Sequence, residues 1–163
     1  MTLIVTVRVW NLRSRRCFRV IEACFADALG RFGLRVIEFT VLGNHLHLLV
    51  EADDDRALTR GMQGLAIRVA KALNRLMGDG GRVFADHYHS RLLHTPTELV
   101  NALVYVLGNH AHHFGTERGS DPFSSGSYVA GTRERVLAYP RTWLLRHGWR
   151  RARRIPQWLG TRQ

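Results

Sequence analysis

Two histidines flank a leucine at His45-Leu46-His47, directly after a Gly43-Asn44 pair. Side chains alternate across a strand, so both imidazoles point to one face while Leu46, Leu48 and Val50 point to the other. Neighbouring imidazoles backed by aliphatics can act as two ligands for a divalent ion. Such an ion polarises a phosphate and orients it for displacement, provided that a nucleophile lies elsewhere in the chain. Tyr105 is that candidate. It sits on a helical polar stripe with Glu98, Asn101, Asn109 and His112, opposite the apolar Leu99, Leu103, Val106 and Leu107. A phenol can attack phosphorus and remain as the covalent intermediate. His87-Tyr88-His89 repeats the spacing, but among Asp86, Ser90 and Arg91 it reads as a polar strand touching phosphate or solvent. His94, His110, His112 and His113 read as solvated loop and helix-end residues.

Elements that must position these groups follow from periodicity. Residues 3–10 alternate as a strand with Val5, Val7 and Val9 on one face, and a helix over about 14–31 carries Phe18, Ile21, Phe25 and Leu29. Leu34 to Leu42 predicts a second strand, Gly43-Asn44 a two-residue turn, and His45 to Glu51 the antiparallel return. Asp53 to Asp55 offers caps for a helix over about 56–77, which Gly78, Gly80 and Gly81 end. Arg82 to Leu93 reads as a fourth strand. Thr95, Pro96 and Glu98 then form a helix start with a capping box, and that helix runs to about Phe114. The order is α+β, a ferredoxin-like βαββαβ antiparallel sheet plus a helix carrying the tyrosine. Two helices should cover one sheet face and the tyrosine helix the other. The expected organisation is a core over 1–114, a loop over 115–131 and a basic, helical Arg/Trp-rich tail over 132–163.

The chain has 163 residues, enough for one substantial core, and its 24 Lys+Arg outnumber 13 acids for a net charge of +11. Almost all of that excess is Arg, whose planar fork suits phosphate, so nucleic acid is the expected partner. Cys17 and Cys24 stand about two helical turns apart, too far to bond, as expected of a reducing compartment. No signal-peptide pattern, lipidation motif or membrane-length apolar run is present, so no membrane partner and a cytoplasmic, nucleoid-associated location are expected. Nothing resembles a P-loop, a GxSxG elbow or a CxxC zinc site. Between Thr132 and Gln163 nine Arg accompany one acid, Glu134. There Arg141, Arg146, Arg150, Arg151, Arg153 and Arg154 interleave with Trp143, Trp149 and Trp158, a pattern able to follow phosphates and stack on bases. Trp143, Leu144, Leu145 and Trp149 are also spaced to dock an apolar face, with the arginines outward.

With these segments in order, residues 1–114 resemble the single-tyrosine HUH transposases of the IS200-like class, especially the REP-associated tyrosine transposases. The matching runs are Val41 to Glu51, Arg60-Gly61-Met62-Gln63, Gly81-Arg82-Val83-Phe84 leading to Tyr88-His89-Ser90, and Leu103 to Asn109. Two departures stand out: Gly43 replaces the usual Pro, and the family's Asn-Pro-x-Arg-Ala-Gly run is Asn109 to Gly115 here. The resemblance implies the HUH endonuclease fold, with Mg2+ or Mn2+ held by His45 and His47 and Asn109 at the third polar ligand. His112 or His113 could take the place of Asn109. It further implies that Tyr105 cleaves single-stranded DNA beside a hairpin through a 5′-phosphotyrosine link, followed by strand transfer. Expected DNA contacts are Arg82, His89 and Arg91, with Arg146, Arg150, Arg151, Arg153 and Arg154 in the tail, the protein acting as monomer or homodimer. Alternatives are a domesticated, non-catalytic DNA hairpin-binding protein and an RNA hairpin binder.

Overall fold

A computed structural model describes residues 1–114, 121–129 and 131–160, without the side chains of 109–114 and 160. It is an α+β arrangement around a three-stranded antiparallel sheet of order β1-β3-β2, with β1 at Thr2–Ile4, β2 at Leu34–Val41 and β3 at His45–Ala52. Helices α1 (Arg15–Ala28) and α2 (Asp55–Met77) cover one face, and α3 (Pro96–Phe114) covers the other. Among the described residues no helix is long and apolar enough to cross a membrane.

The helices begin and end where the residue types require. Ser14 caps α1 by accepting from the Cys17 amide, and Asp54 caps α2 by accepting from Ala57 at 2.6 Å. Gly78 closes α2 at φ 67, a left-handed conformation that favours glycine. At α3, Thr95 Oγ1 accepts from the Glu98 amide while Glu98 accepts from the Thr95 amide, a reciprocal capping box. Amides of His94 and Thr95 and the Arg91 guanidinium pull the Glu98 carboxyl down to about 2.

β2 is buried along its whole length, and a bulge makes that possible. Val36 pairs with Val50 and Glu38 with the adjacent Leu49, so Ile37 is the extra residue. Without it Phe39 and Val41 would face away from Leu34 and Val36. With it Leu34, Val36, Phe39 and Val41 join Leu46 and Leu48 in the α1–α2 core. Arg35, Glu38 and Thr40 go to the α3 side instead, where all three are buried. α2 comes so close to β2 that a Cβ on Gly61 would meet the Leu34 side chain.

Three expectations are corrected. The first strand stops at Ile4 rather than Trp10: the Val9 amide donates to Thr6 O, a turn that leaves Val7 fully exposed between buried Val5 and Val9. The fourth strand, Arg82 to Leu93, is replaced by isolated antiparallel bridges at Val5↔Phe84 and Thr2↔His89 along the free edge of β1. Three steps from Thr2 to Val5 face five from Phe84 to His89, and the bend at 85–87 takes up the excess. The tail is not a continuous helix. Among its described residues it is three single turns, α4 (Arg133–Val136), α5 (Trp143–Arg146) and α6 (Gln157–Gly160), with a 3-10 turn at Gly148–Arg151. Pro140, Gly148 and Pro156 interrupt it. Its Leu144, Leu145, Trp149 and Leu159 share a core with Leu49, Leu99 and Leu103, so the tail holds α3 against the sheet.

Candidate active site

Strand alternation places His45, His47, Leu49 and Glu51 on the α3 side of β3, and α3 brings Tyr105 over them. The two imidazoles lie edge to face with ring centres 4.6 Å apart, and the His47 and Tyr105 ring centres are 4.8 Å apart. Tyr105 Oη is 3.3 Å from His47 Nε2. His47 is 4% exposed while Tyr105 is 54% exposed, so the imidazole is fixed and the phenol is open to a substrate.

Each histidine has a partner at its other ring nitrogen. Thr2 Oγ1, directly across on β1, lies 2.9 Å from His47 Nδ1, and Asn44 Oδ1 lies 2.7 Å from His45 Nδ1. With these oxygens accepting from Nδ1–H, both lone pairs sit at Nε2, on the tautomer that ligates a metal. On that tautomer the two imidazoles could supply two nitrogen ligands to a divalent ion, and a hard ion such as Mg2+ or Mn2+ would need oxygen ligands besides. No group of three or more His, Cys, Asp or Glu completes it among the described residues. The Asn109, His112 and His113 side chains, expected to supply the third ligand, lie outside the described residues.

The structure distributes the expected DNA contacts unevenly. Cross-strand partners share a face, so Thr40, His47, Thr2 and His89 form one row, and exposed His89 lies on the side of Tyr105. His87 sits in the bend at 85–87, which breaks the alternation that would pair it with His89. Exposed Arg91 pairs with Glu98 at 3.1 Å, and Arg82 turns back to donate to Phe84 O. In the tail Arg146, Arg150, Arg151, Arg153 and Arg154 are all exposed. Arg150 stands over Trp149 and Arg151 over Trp143, each at 5.3 Å from the ring centre, so these indole faces already carry cations.

Thr2, Asn44 and Glu51 escaped the sequence reading as parts of the site. Only the Thr2↔His47 register reveals the first. Glu51 had a signal, since continued alternation from His47 puts an acid on the buried face. Its Oε2 accepts from Arg35 Nε at 2.8 Å and from the Arg141 amide at 2.7 Å, and its Oε1 from the Thr142 amide at 2.7 Å. One buried carboxylate thereby fastens the tail to the strand that carries both histidines.

No protein-family model, curated protein or solved structure matches the chain.

Proposed function

We propose that this protein is a metal-dependent, single-tyrosine HUH endonuclease and strand transferase acting on single-stranded DNA beside hairpins. The observation that carries the reading is Tyr105 Oη at 3.3 Å from His47 Nε2, with His45 alongside. The topology supports it: the segment bridged to the free edge of β1 lies where the fourth strand of a βαββαβ core is expected, beside a β1-β3-β2 sheet.

In this reading Tyr105 Oη attacks the scissile phosphorus. An O–P bond forms, the P–O3′ bond breaks, and the departing 3′ oxygen takes up a proton. The phenol proton leaves to the solvent that reaches this half-exposed ring. Strand transfer is the reverse step, in which a 3′-hydroxyl attacks the 5′-phosphotyrosine and releases the phenol. A divalent ion held by His45 and His47, with Asn109 as the expected third ligand, would neutralise charge developing on the phosphate oxygens. Thr2 and Asn44 orient the imidazoles through their Nδ1 atoms, and α3 holds the phenol over them. Exposed arginines of the tail supply sequence-independent attraction for the DNA backbone.

The other reading, a hairpin-binding protein without catalysis, uses the same arginines but has no need of the Tyr105–His47 contact. Incubating the protein with end-labelled hairpin DNA and Mn2+ or Mg2+, then running a denaturing gel, separates the two. A slowly migrating adduct that disappears in Tyr105→Phe is expected. Retarded DNA under native conditions with no adduct under denaturing ones would leave only the binding protein.

A further inference from the structure

A cavity of ≈ 770 Å³ opens beside the tyrosine, lined by both His47 and Tyr105 and extending along β3 to Asp54 and Asp55 at the start of α2. Leu49, Leu92, Leu93 and Ala102 make its walls apolar, while Asn101 and Ser90 bring exposed polar side chains to it. Resting on the nuclease reading above, we propose that this cavity receives the unpaired base of a nucleotide next to the scissile phosphate and that Asn101 reads its edge.

Position, charge and chemistry converge on that occupant. Any phosphodiester within reach of Tyr105 Oη places its flanking nucleoside at the cavity mouth, because both catalytic side chains form part of the wall. The charged groups lining it are Glu51, Asp54 and Asp55, the Met1 ammonium, which donates to Leu48 O, and exposed Arg91, which is already paired with Glu98. Glu51 is neutralised by Arg35, which leaves an acidic far end that repels phosphate. The part of a nucleotide that can enter is therefore the flat, neutral base, with the phosphates kept outside near Arg91 and the tail. Leucine and alanine walls accept the faces of a base that has left its stack. Asn101 lies one helical turn before Tyr105, and its amide both donates and accepts, the capacity needed to discriminate base edges.

The test uses the full chain and hairpin DNAs in which the nucleotide on either side of the cleavage position is made abasic in turn. At one of the two positions the abasic change should slow adduct formation about tenfold, the value of one base stacked and hydrogen-bonded. Ala102→Phe, which fills the cavity, should bring the intact-to-abasic rate ratio towards one, and Asn101→Ala should change which base is preferred there. Binding is read separately with 2-aminopurine at that position and the Tyr105→Phe protein, where insertion changes the probe's emission. Equal adduct rates on intact and both abasic DNAs, with an unchanged probe, would overturn the pocket while leaving the nuclease reading intact. A responsive probe without adduct from the native protein would uphold the pocket and overturn the nuclease reading. Neither adduct nor probe response would overturn both.

Discussion

Glu51→Ala should loosen the tail from the sheet without touching the histidines. The carboxylate is 6% exposed and accepts three bonds, one from Arg35 and two from backbone amides at the start of α5. Breaking a buried ion pair by removing one partner costs roughly 3–5 kcal/mol. Arg35 keeps a second partner, Asp53 at 2.7 Å, which is half exposed, so the cost belongs at the low end, about 3 kcal/mol. For a chain of this length that is a fall in Tm of roughly 6–12 °C. Thr142→Pro is a graded companion: Thr142 has φ -69, which proline adopts, so the loss is that of the Thr142 amide and hydroxyl donors to Glu51, and about 2 kcal/mol is expected. Burial alone would raise the Glu51 pKa, but the bonds from Thr142, Arg35 and Arg141 outweigh it and the net shift is downward. The resulting stability is therefore fully present above the ordinary carboxylate value of 4.5 and is lost as pH falls below it through the lowered one. Thermal melts and tryptophan emission read both effects, since Trp143, Trp149 and Trp158 all lie in the tail. A Tm within about 2 °C of native together with unchanged emission would refute the role given to Glu51.

Thr2→Val removes the hydroxyl at His47 Nδ1 while keeping the β-branched shape, and Mn2+ affinity by calorimetry should fall about 10–100-fold with little loss of stability. Gly61→Ala should cost about 1–3 kcal/mol in urea melts, because the added methyl meets Leu34 Cβ, which is fixed to the β2 backbone and cannot swing away. Replacing Arg150, Arg151, Arg153 and Arg154 together by Gln should lower hairpin affinity and reduce the logarithmic salt slope by up to about 3. This is a cleaner change than truncation after Gly131, which would also remove Leu144, Leu145 and Leu159 from the core.

What the sequence made legible was local in origin. The capping signals at Asp54 and Thr95, the turn at 43–44 and the alternation of His45-Leu46-His47 each depend on residues a few positions apart, and each has its counterpart in the structure. What it concealed depends on distant partners. Val5, Val7 and Val9 alternate like a strand, but the Val5 amide bonds Asn44 O and the Leu12 amide bonds Gly43 O, so the chain wraps the hairpin tip instead. Segment 82–93 has strand-like residues but two too many for the edge beside it. Arg35 and Glu38 interrupt an apolar run with charges whose partners, Glu51 and Arg133, come from the next strand and from α4. At the site, the histidine pair and Tyr105 could be named from spacing, whereas Thr2, which lies against His47, required the strand register.

The central claim is a covalent bond between Tyr105 and DNA, and its most direct measurement is peptide mapping of the adduct by mass spectrometry. Native protein is incubated with hairpin DNA and Mn2+, digested with nuclease and protease, and searched for a nucleotide-bearing peptide. The expected result is a nucleotide 5′-phosphate on Tyr105 alone, absent without metal and absent from His45→Ala and His47→Ala proteins that remain folded. A nucleotide on Tyr88 or Tyr128, or no modified peptide although the hairpin is bound and the metal present, would contradict the account.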